Sequence, residues 1–159
     1  MSADKDNDKD FFWVSKSHQN NIDIAREVLN EVAGLNRNRS VVLGLQGDLG
    51  AGKTTWTRGL VDALGGDPEQ VQSPTYILMR DYQLGENLYQ FQSLHHIDLY
   101  RLNKASDTKA LMLDEAVNDQ TKIFVIEWAD KYPRSIPKLH ASLLFETIND
   151  FTKTIELKD

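Results

Sequence analysis

The chain has 159 residues, 40% of them in the hydrophobic class, with a formal net charge of −6 and a sequence pI near 5.2. That length supports one domain with one real core, and the acidic balance argues against an extended nucleic-acid footprint. The absence of cysteine excludes a disulfide framework, a thiolate zinc site and a cysteine nucleophile together.

Residues 1–10 are polar, carry charges of both signs and contain no apolar run. Neither a secretory signal nor a membrane span is expected there, and the segment reads as a disordered, solvated tail. The expectation is a cytoplasmic protein in which residues 11–159 form a single domain. Phe11 to Val14 reads as a short edge strand. Ser17 then caps a helix in which Ile22, Ala25, Val28, Leu29 and Val32 recur at helical spacing, ending near Gly34. Ser40 to Leu45 (S-V-V-L-G-L) is too uniformly apolar for a half-exposed strand, so a central strand covered on both faces is predicted. A helix follows over Thr54 to Leu64, with Trp56, Leu60 and Leu64 on one stripe and Gly65-Gly66 as its stop.

Tyr76 to Tyr82 and Leu88 to Gln92 read as strands joined by a turn at Gly85-Glu86, and Leu94 to Leu99 as a further strand. Lys104 to Val117 is predicted helical and Lys122 to Ile126 (K-I-F-V-I) is the second strongly buried strand. Leu139 to Phe145 and Phe151 to Leu157 are late strands about a turn at Asn149-Asp150. Strands alternating with helices in so short a chain predict an α/β sheet sandwich.

Between the first buried strand and its helix, Gly47 to Thr54 read G-D-L-G-A-G-K-T, a complete phosphate-binding loop. Gly47, Gly50 and Gly52 let backbone N–H groups approach a phosphate unobstructed, Asp48, Leu49 and Ala51 complete the turn, and the following helix N-terminus adds its positive end. In such a loop Lys53 neutralises β- and γ-phosphate oxygens, Thr54 ligates Mg²⁺ through its hydroxyl, and Thr55 reaches the α-phosphate. No N-K-x-D string for reading guanine occurs, which favours ATP/ADP over guanine nucleotides.

Such a site needs a carboxylate for Mg²⁺ and a group to position water. Asp98, in H-H-I-D-L-Y-R, and Glu127, in K-I-F-V-I-E-W, both end strands, where open α/β sheets place their ligands. A lone carboxylate at the end of so apolar a strand is costly without a metal or donor partner. Which of the two is ligand and which positions water stays open. Thr75, in S-P-T-Y after Pro74, suits either a hydroxyl held near a γ-phosphate or an ordinary turn. Adjacent His95 and His96 point opposite ways in a strand, so one is expected packed or hydrogen-bonded and the other exposed. Arg101 fits a phosphate contact or an acidic neighbour, and Trp128 fits core or a flat wall beside a nucleotide.

Four motifs, G-D-L-G-A-G-K-T-T at Gly47 to Thr55, S-P-T-Y at Ser73 to Tyr76, H-I-D-L-Y-R at His96 to Arg101 and I-E-W at Ile126 to Trp128, occur in an order and spacing that resembles the bacterial TsaE (YjeE) family. The resemblance covers roughly Phe11 to Phe145. It implies a small α/β fold of the three-layer P-loop NTPase-like kind with a mixed, partly antiparallel central sheet, Mg²⁺-dependent ATP binding, and weak ATP hydrolysis promoted by a TsaB–TsaD pair. That assembly forms N6-threonylcarbamoyladenosine (t6A) at position 37 of tRNAs reading codons that begin with A. Carried over by position, Lys53 and Thr54 hold phosphates and metal, Asp98 and Glu127 complete the magnesium and water environment, and Thr75 lies in the loop beside the γ-phosphate. The chain is expected to meet tRNA only through the complex and to be a monomer alone. Two departures stand out. The helix before the second buried strand usually contains Met-Gly but reads A-L-M-L-D-E at Ala110 to Glu115, and the C-terminal hairpin, which often carries Gly-Arg, has Asn149-Asp150-Phe151 with Lys153 as the nearest base.

Two other functions share the loop. A small-molecule kinase would need an arginine-rich lid, yet only Arg101 and Arg134 follow Arg80. A nucleotide-gated binding module with negligible hydrolysis would have no use for Glu127.

Overall fold

The computed structural model describes residues 11–34, 37–74 and 77–158. The tail at residues 1–10, and with it the expectation of disorder there, lies outside these residues, as does Thr75.

Seven strands form one sheet: β1 (Phe12–Ser15), β2 (Val41–Gln46), β3 (Met79–Gln83), β4 (Ser93–Asp98), β5 (Lys122–Glu127), β6 (Ala141–Asn149) and β7 (Thr152–Lys158), in the order β1-β7-β6-β2-β5-β4-β3. The central strands β6, β2, β5 and β4 are mutually parallel, while β7 and β1 extend one edge and β3 the other by antiparallel pairing. Helices α1 (His18–Val32) and α2 (Lys53–Ala63) cover one face, and Ser17 caps α1 by accepting from the Asn20 N–H at 3.1 Å. The predicted mixed α/β architecture is thus the one found.

The apolar runs of β2 and β5 are explained by burial on both faces. Val41, Leu43, Leu45, Ile123 and Val125 join the larger core under α1 and α2, whereas Val42, Phe124 and Ile126 join a smaller core on the opposite face. That second face is closed by short pieces: a 3₁₀ helix at Ala105–Leu111, the single turn α3 (Leu113–Ala116) and a 3₁₀ turn at Ala129–Lys131. The parity also sorts the strand ends, because His96, Asp98 and Glu127 fall on the same side as Leu94, Ile123 and Val125, beneath the start of α2.

Two predicted elements differ. Leu88 to Gln92 is a loop, because the Asn87 side chain takes over the local backbone bonding: its amide donates to the carbonyls of Gly85 (2.9 Å) and Phe91 (2.8 Å), and its oxygen accepts from the N–H groups of Tyr89 and Phe91 (both 3.2 Å). Such side-chain bonding competes with a strand ladder. Leu88 is consequently 83% exposed and Gln90 adopts φ 62°. The helix predicted over Lys104 to Val117 is broken at Met112, which sits in the left-handed region at φ 49°, ψ 41° and is 62% exposed.

Left-handed backbone costs an L-residue roughly 1–2 kcal/mol, so a glycine suits the place where Met112 stands. Met112→Gly is expected to stabilise the chain by roughly 0.5–1 kcal/mol after allowing for the greater freedom of glycine in the unfolded state. In a continuous helix the same change would cost about 1 kcal/mol. Urea unfolding of the two proteins checks the sign.

Candidate functional site

The site forms where β2, β5 and β4 end. Leu45 pairs with Glu127 and Glu127 with Asp98 across the parallel ladder, so the loop that leaves β2 faces both carboxylates. Gly47, Gly50 and Gly52 all have positive φ, at 144°, 77° and 102°. Gly47 is the position that requires it most, since a Cβ there would lie 2.6 Å from the backbone oxygen of Phe145 in β6. The loop therefore rests directly on the neighbouring strand, and α2 begins at Lys53 with its first amides facing outward.

Lys53 is 5% exposed. Its ammonium donates to the carbonyls of Gly47 (2.5 Å) and Asp48 (3.0 Å) and lies 4.8 Å from the centre of the Trp128 ring. Burial pushes it below its ordinary pKa of 10.5, against the opposing pull of the Glu127, Asp98, Asp48 and Asp130 carboxylates. This is a cation held by weak neutral acceptors in a dry place, suited to an incoming anion.

Thr54 donates its hydroxyl to Glu127 Oε1 at 3.0 Å, and the same oxygen lies 2.8 Å from His96 Nε2. Glu127 and Asp98 are both buried. Asp98 Oδ1 accepts from the Tyr100 N–H at 2.9 Å, turning the chain sharply after β4. Trp128 is half-buried at φ 58°; it packs on the smaller core and beside Tyr100, with ring centres 5.1 Å apart, so both readings of this residue describe part of it. The loop after Asp98 is tied to the one after Glu127 by Lys131, which donates to the carbonyls of Tyr100 and Leu102, each at 2.7 Å. Among the described residues no group of three or more His, Cys, Asp or Glu side chains forms a metal cluster. The donor set of Thr54, Asp98 and Glu127 instead suits a hard cation that takes one or two carboxylates and fills its remaining positions with phosphate and water.

Lys53, Thr54, Asp98, Glu127 and Trp128 are thus brought together, while the exposed Thr55 lies in an adjoining cleft of about 530 Å³ with Gly52, Arg58, His18, Phe151 and Lys153. A larger cavity of about 880 Å³ opens elsewhere, beside His140 and Pro133, and touches none of Lys53, Thr54, Asp98 or Glu127.

Two participants were not assigned from the sequence. Lys153, in β7, donates to the carbonyl of Gly50 and to the Thr147 hydroxyl, both at 3.0 Å, and its stem lies 3.4 Å from where a Cβ on Gly52 would stand. Only the strand register could have placed it. His96 is fully buried against Glu127, and its i,i+2 spacing from Asp98 was the available signal. The pair of expectations for the histidines holds for His96; His95 is largely covered, stacked on Phe124 at 4.8 Å and bonded to Asp81 at 2.6 Å.

Residues 15–155 match the model of a protein family described as threonylcarbamoyl adenosine biosynthesis protein TsaE. The chain belongs to this family. A tRNA threonylcarbamoyladenosine biosynthesis protein TsaE from Haemophilus influenzae is 32% identical over 123 residues, 77% of this chain and 73% of that protein. The Bacillus subtilis TsaE is 34% identical over 114 residues, 72% of this chain and 66% of its own length. The crystal structure of YdiB from Bacillus subtilis superposes with a TM-score of 0.60 at 23% identity, covering 94% of this chain and 84% of the other, which supports the fold. No helix among the described residues is long and apolar enough to cross a membrane.

The depressed pKa of Lys53 carries a sign. The unfolded chain holds the Lys53 proton more tightly than the folded one, so the penalty is complete below the folded pKa and is relieved as pH rises from there toward 10.5. Lys53→Met, which keeps the apolar stem and removes the charge, is expected to raise the urea midpoint of the ligand-free protein at neutral pH. The advantage should shrink as pH approaches 10.5. A lower midpoint at neutral pH would mean that the bonds to Gly47 and Asp48 outweigh desolvation.

Proposed function

We propose that this chain is the Mg²⁺-dependent ATP-binding and ATP-hydrolysing subunit of the machinery that forms N6-threonylcarbamoyladenosine at position 37 of tRNA, acting on a TsaB–TsaD pair to cycle or regulate it. One observation carries the ATPase part: a buried lysine whose hydrogen bonds, among the described residues, go to carbonyls of its own glycine-rich loop, facing two strand-end carboxylates. Family membership supports the tRNA-modification part.

On this reading the amides of Gly47 to Thr54 receive the phosphates, and Lys53 exchanges the carbonyls of Gly47 and Asp48 for β- and γ-phosphate oxygens. Thr54, Asp98 and Glu127 are the residues that would hold Mg²⁺ or its waters. When bound, the ion neutralises charge developing on the phosphates. Thr54 turns its hydroxyl away from Glu127, and the freed carboxylate orients the attacking water. The cleft beside Thr55 is open to the adenosine end, with Phe151 and Lys153 of the β6–β7 hairpin as its wall. Trp128 shields the ammonium of Lys53 from bulk water.

Lys53→Ala is expected to weaken ATP binding about 10- to 100-fold, the worth of a charged hydrogen-bond donor on phosphate. Glu127→Gln should leave affinity within about threefold while lowering turnover about 100-fold or more, as loss of a general base does. Calorimetry and phosphate release separate the two. Turnover by the wild-type chain should be slow alone and rise when the partner pair is added. An unchanged rate with partners, or Glu127→Gln turning over ATP normally, would reject the assigned role. Reconstitution with the pair, ATP, threonine, bicarbonate and tRNA reads out the modified adenosine.

A further inference from the structure

We infer that His96 is a positioning residue for Glu127, holding one carboxylate oxygen so that the other is presented to the metal-bound water; this deepens the ATPase reading and rests on it. His96 lies in β4, paired with Val125 of β5 and Arg80 of β3, and its side chain is wholly buried. Its Nε2 lies 2.8 Å from Glu127 Oε1, while Nδ1 is buried with no partner among the described residues.

That asymmetry selects the tautomer. Of the two neutral forms, a proton on Nδ1 would bury an N–H without an acceptor and set the Nε2 lone pair against a carboxylate oxygen. A proton on Nε2 makes a charge-assisted bond to Oε1 and leaves only a lone pair unused, the cheaper defect. His96 therefore donates through Nε2.

As a core residue His96 is a poor choice, since an unpartnered ring nitrogen costs stability that a phenylalanine in the same space would not. The carboxylate supplies the reason for it. Thr54 and His96 approach the same oxygen. When Thr54 turns to the metal, His96 alone keeps Oε1 in place, and the carboxylate does not swing into the position vacated by the hydroxyl. Outer partners of metal-site carboxylates and imidazoles typically matter 10- to 100-fold.

Two measurements test this. In the free protein, long-range ¹H–¹⁵N spectra of the imidazole rings, with the His96 signal assigned by its loss in His96→Gln, should show the Nε2–H tautomer and a marked shift of that signal in Glu127→Gln. The Nδ1–H tautomer, or a signal indifferent to Glu127→Gln, overturns the proposal without involving nucleotide. In partner-stimulated ATP turnover, His96→Phe should lower kcat about 10- to 100-fold with KM within about threefold. His96→Gln, whose amide can donate near the Nε2 position, should recover most of it. Adding His96→Phe to Glu127→Gln should cause no further loss, because the histidine acts only through the carboxylate. Additive losses, or normal kcat in folded His96→Phe, overturn it. If His96→Phe does not fold, His96→Gln and the spectra decide. Absence of ATP turnover in the wild type defeats the ATPase reading instead, a result distinct from either failure.

Discussion

One carboxylate oxygen joins three elements of this protein. Glu127 Oε1 lies at the end of β5 and meets Thr54 at the start of α2 and His96 in β4. A buried carboxylate is tolerable only where hydrogen-bond donors converge on it. The strand that delivers it is apolar from Ile123 to Ile126, with two of these residues in each core, so its position is fixed by the two cores rather than by the site. The phosphate loop, the carboxylates and the core are consequently one mechanical unit: a displacement of β5 relative to β2 would alter the Thr54–Glu127 bond directly.

The antiparallel extension gives that unit its second support. In a sheet of parallel strands alone, the loop after β2 would have its own helix behind it and β6 beside it, but no strand beyond β6 to reach over it. Here β6 places the Phe145 carbonyl against Gly47, and β7 places Lys153 over Gly50 and Gly52. The loop is clamped between a helix it begins and a hairpin that arrives a hundred residues later in the chain. Lys153 donates to the Gly50 carbonyl and the Thr147 hydroxyl and Lys53 to two carbonyls, so the glycine loop is bordered by two ammonium groups, each bonded to neutral oxygens. Exchange of such bonds for phosphate oxygens is favourable because it replaces neutral acceptors with anionic ones.

Much of this was legible in the sequence, and the reasons are local. The runs of β2 and β5 admit no exposed face, Ser17 offers a side-chain oxygen just ahead of an amphipathic repeat, and Gly47 to Thr54 carry a loop geometry in their residue types. That Asp98 and Glu127 end their strands was readable from the apolar runs before them, and both are buried there. What escaped depends on contacts that spacing does not encode. Leu88 to Gln92 has strand-like composition, and a single asparagine side chain bends it into a loop. Ala105 to Ala116 has helical composition, yet Met112 takes left-handed backbone and divides it into a 3₁₀ helix and the single turn α3.

His96 shows where such legibility ends. A histidine in an apolar strand is compatible with packing, with a hydrogen bond or with a site, and neighbouring His95 has the same composition around it. The difference between them is strand parity: His95 faces Phe124 and Asp81 on the thin side of the sheet, whereas His96 faces Glu127 on the side where α2 begins. Parity is readable from alternation only once the strand's partners and register are known, because the buried face of a central strand is apolar in both directions. The register of β4 against β5 sets Asp98 level with Glu127 and His96 level with Val125, one pleat behind. A slip of one residue would carry the histidine to the opposite face and leave the carboxylate with Thr54 alone. The arrangement of the site is therefore decided by the ladder between two strands, and the glycine loop meets what that ladder delivers.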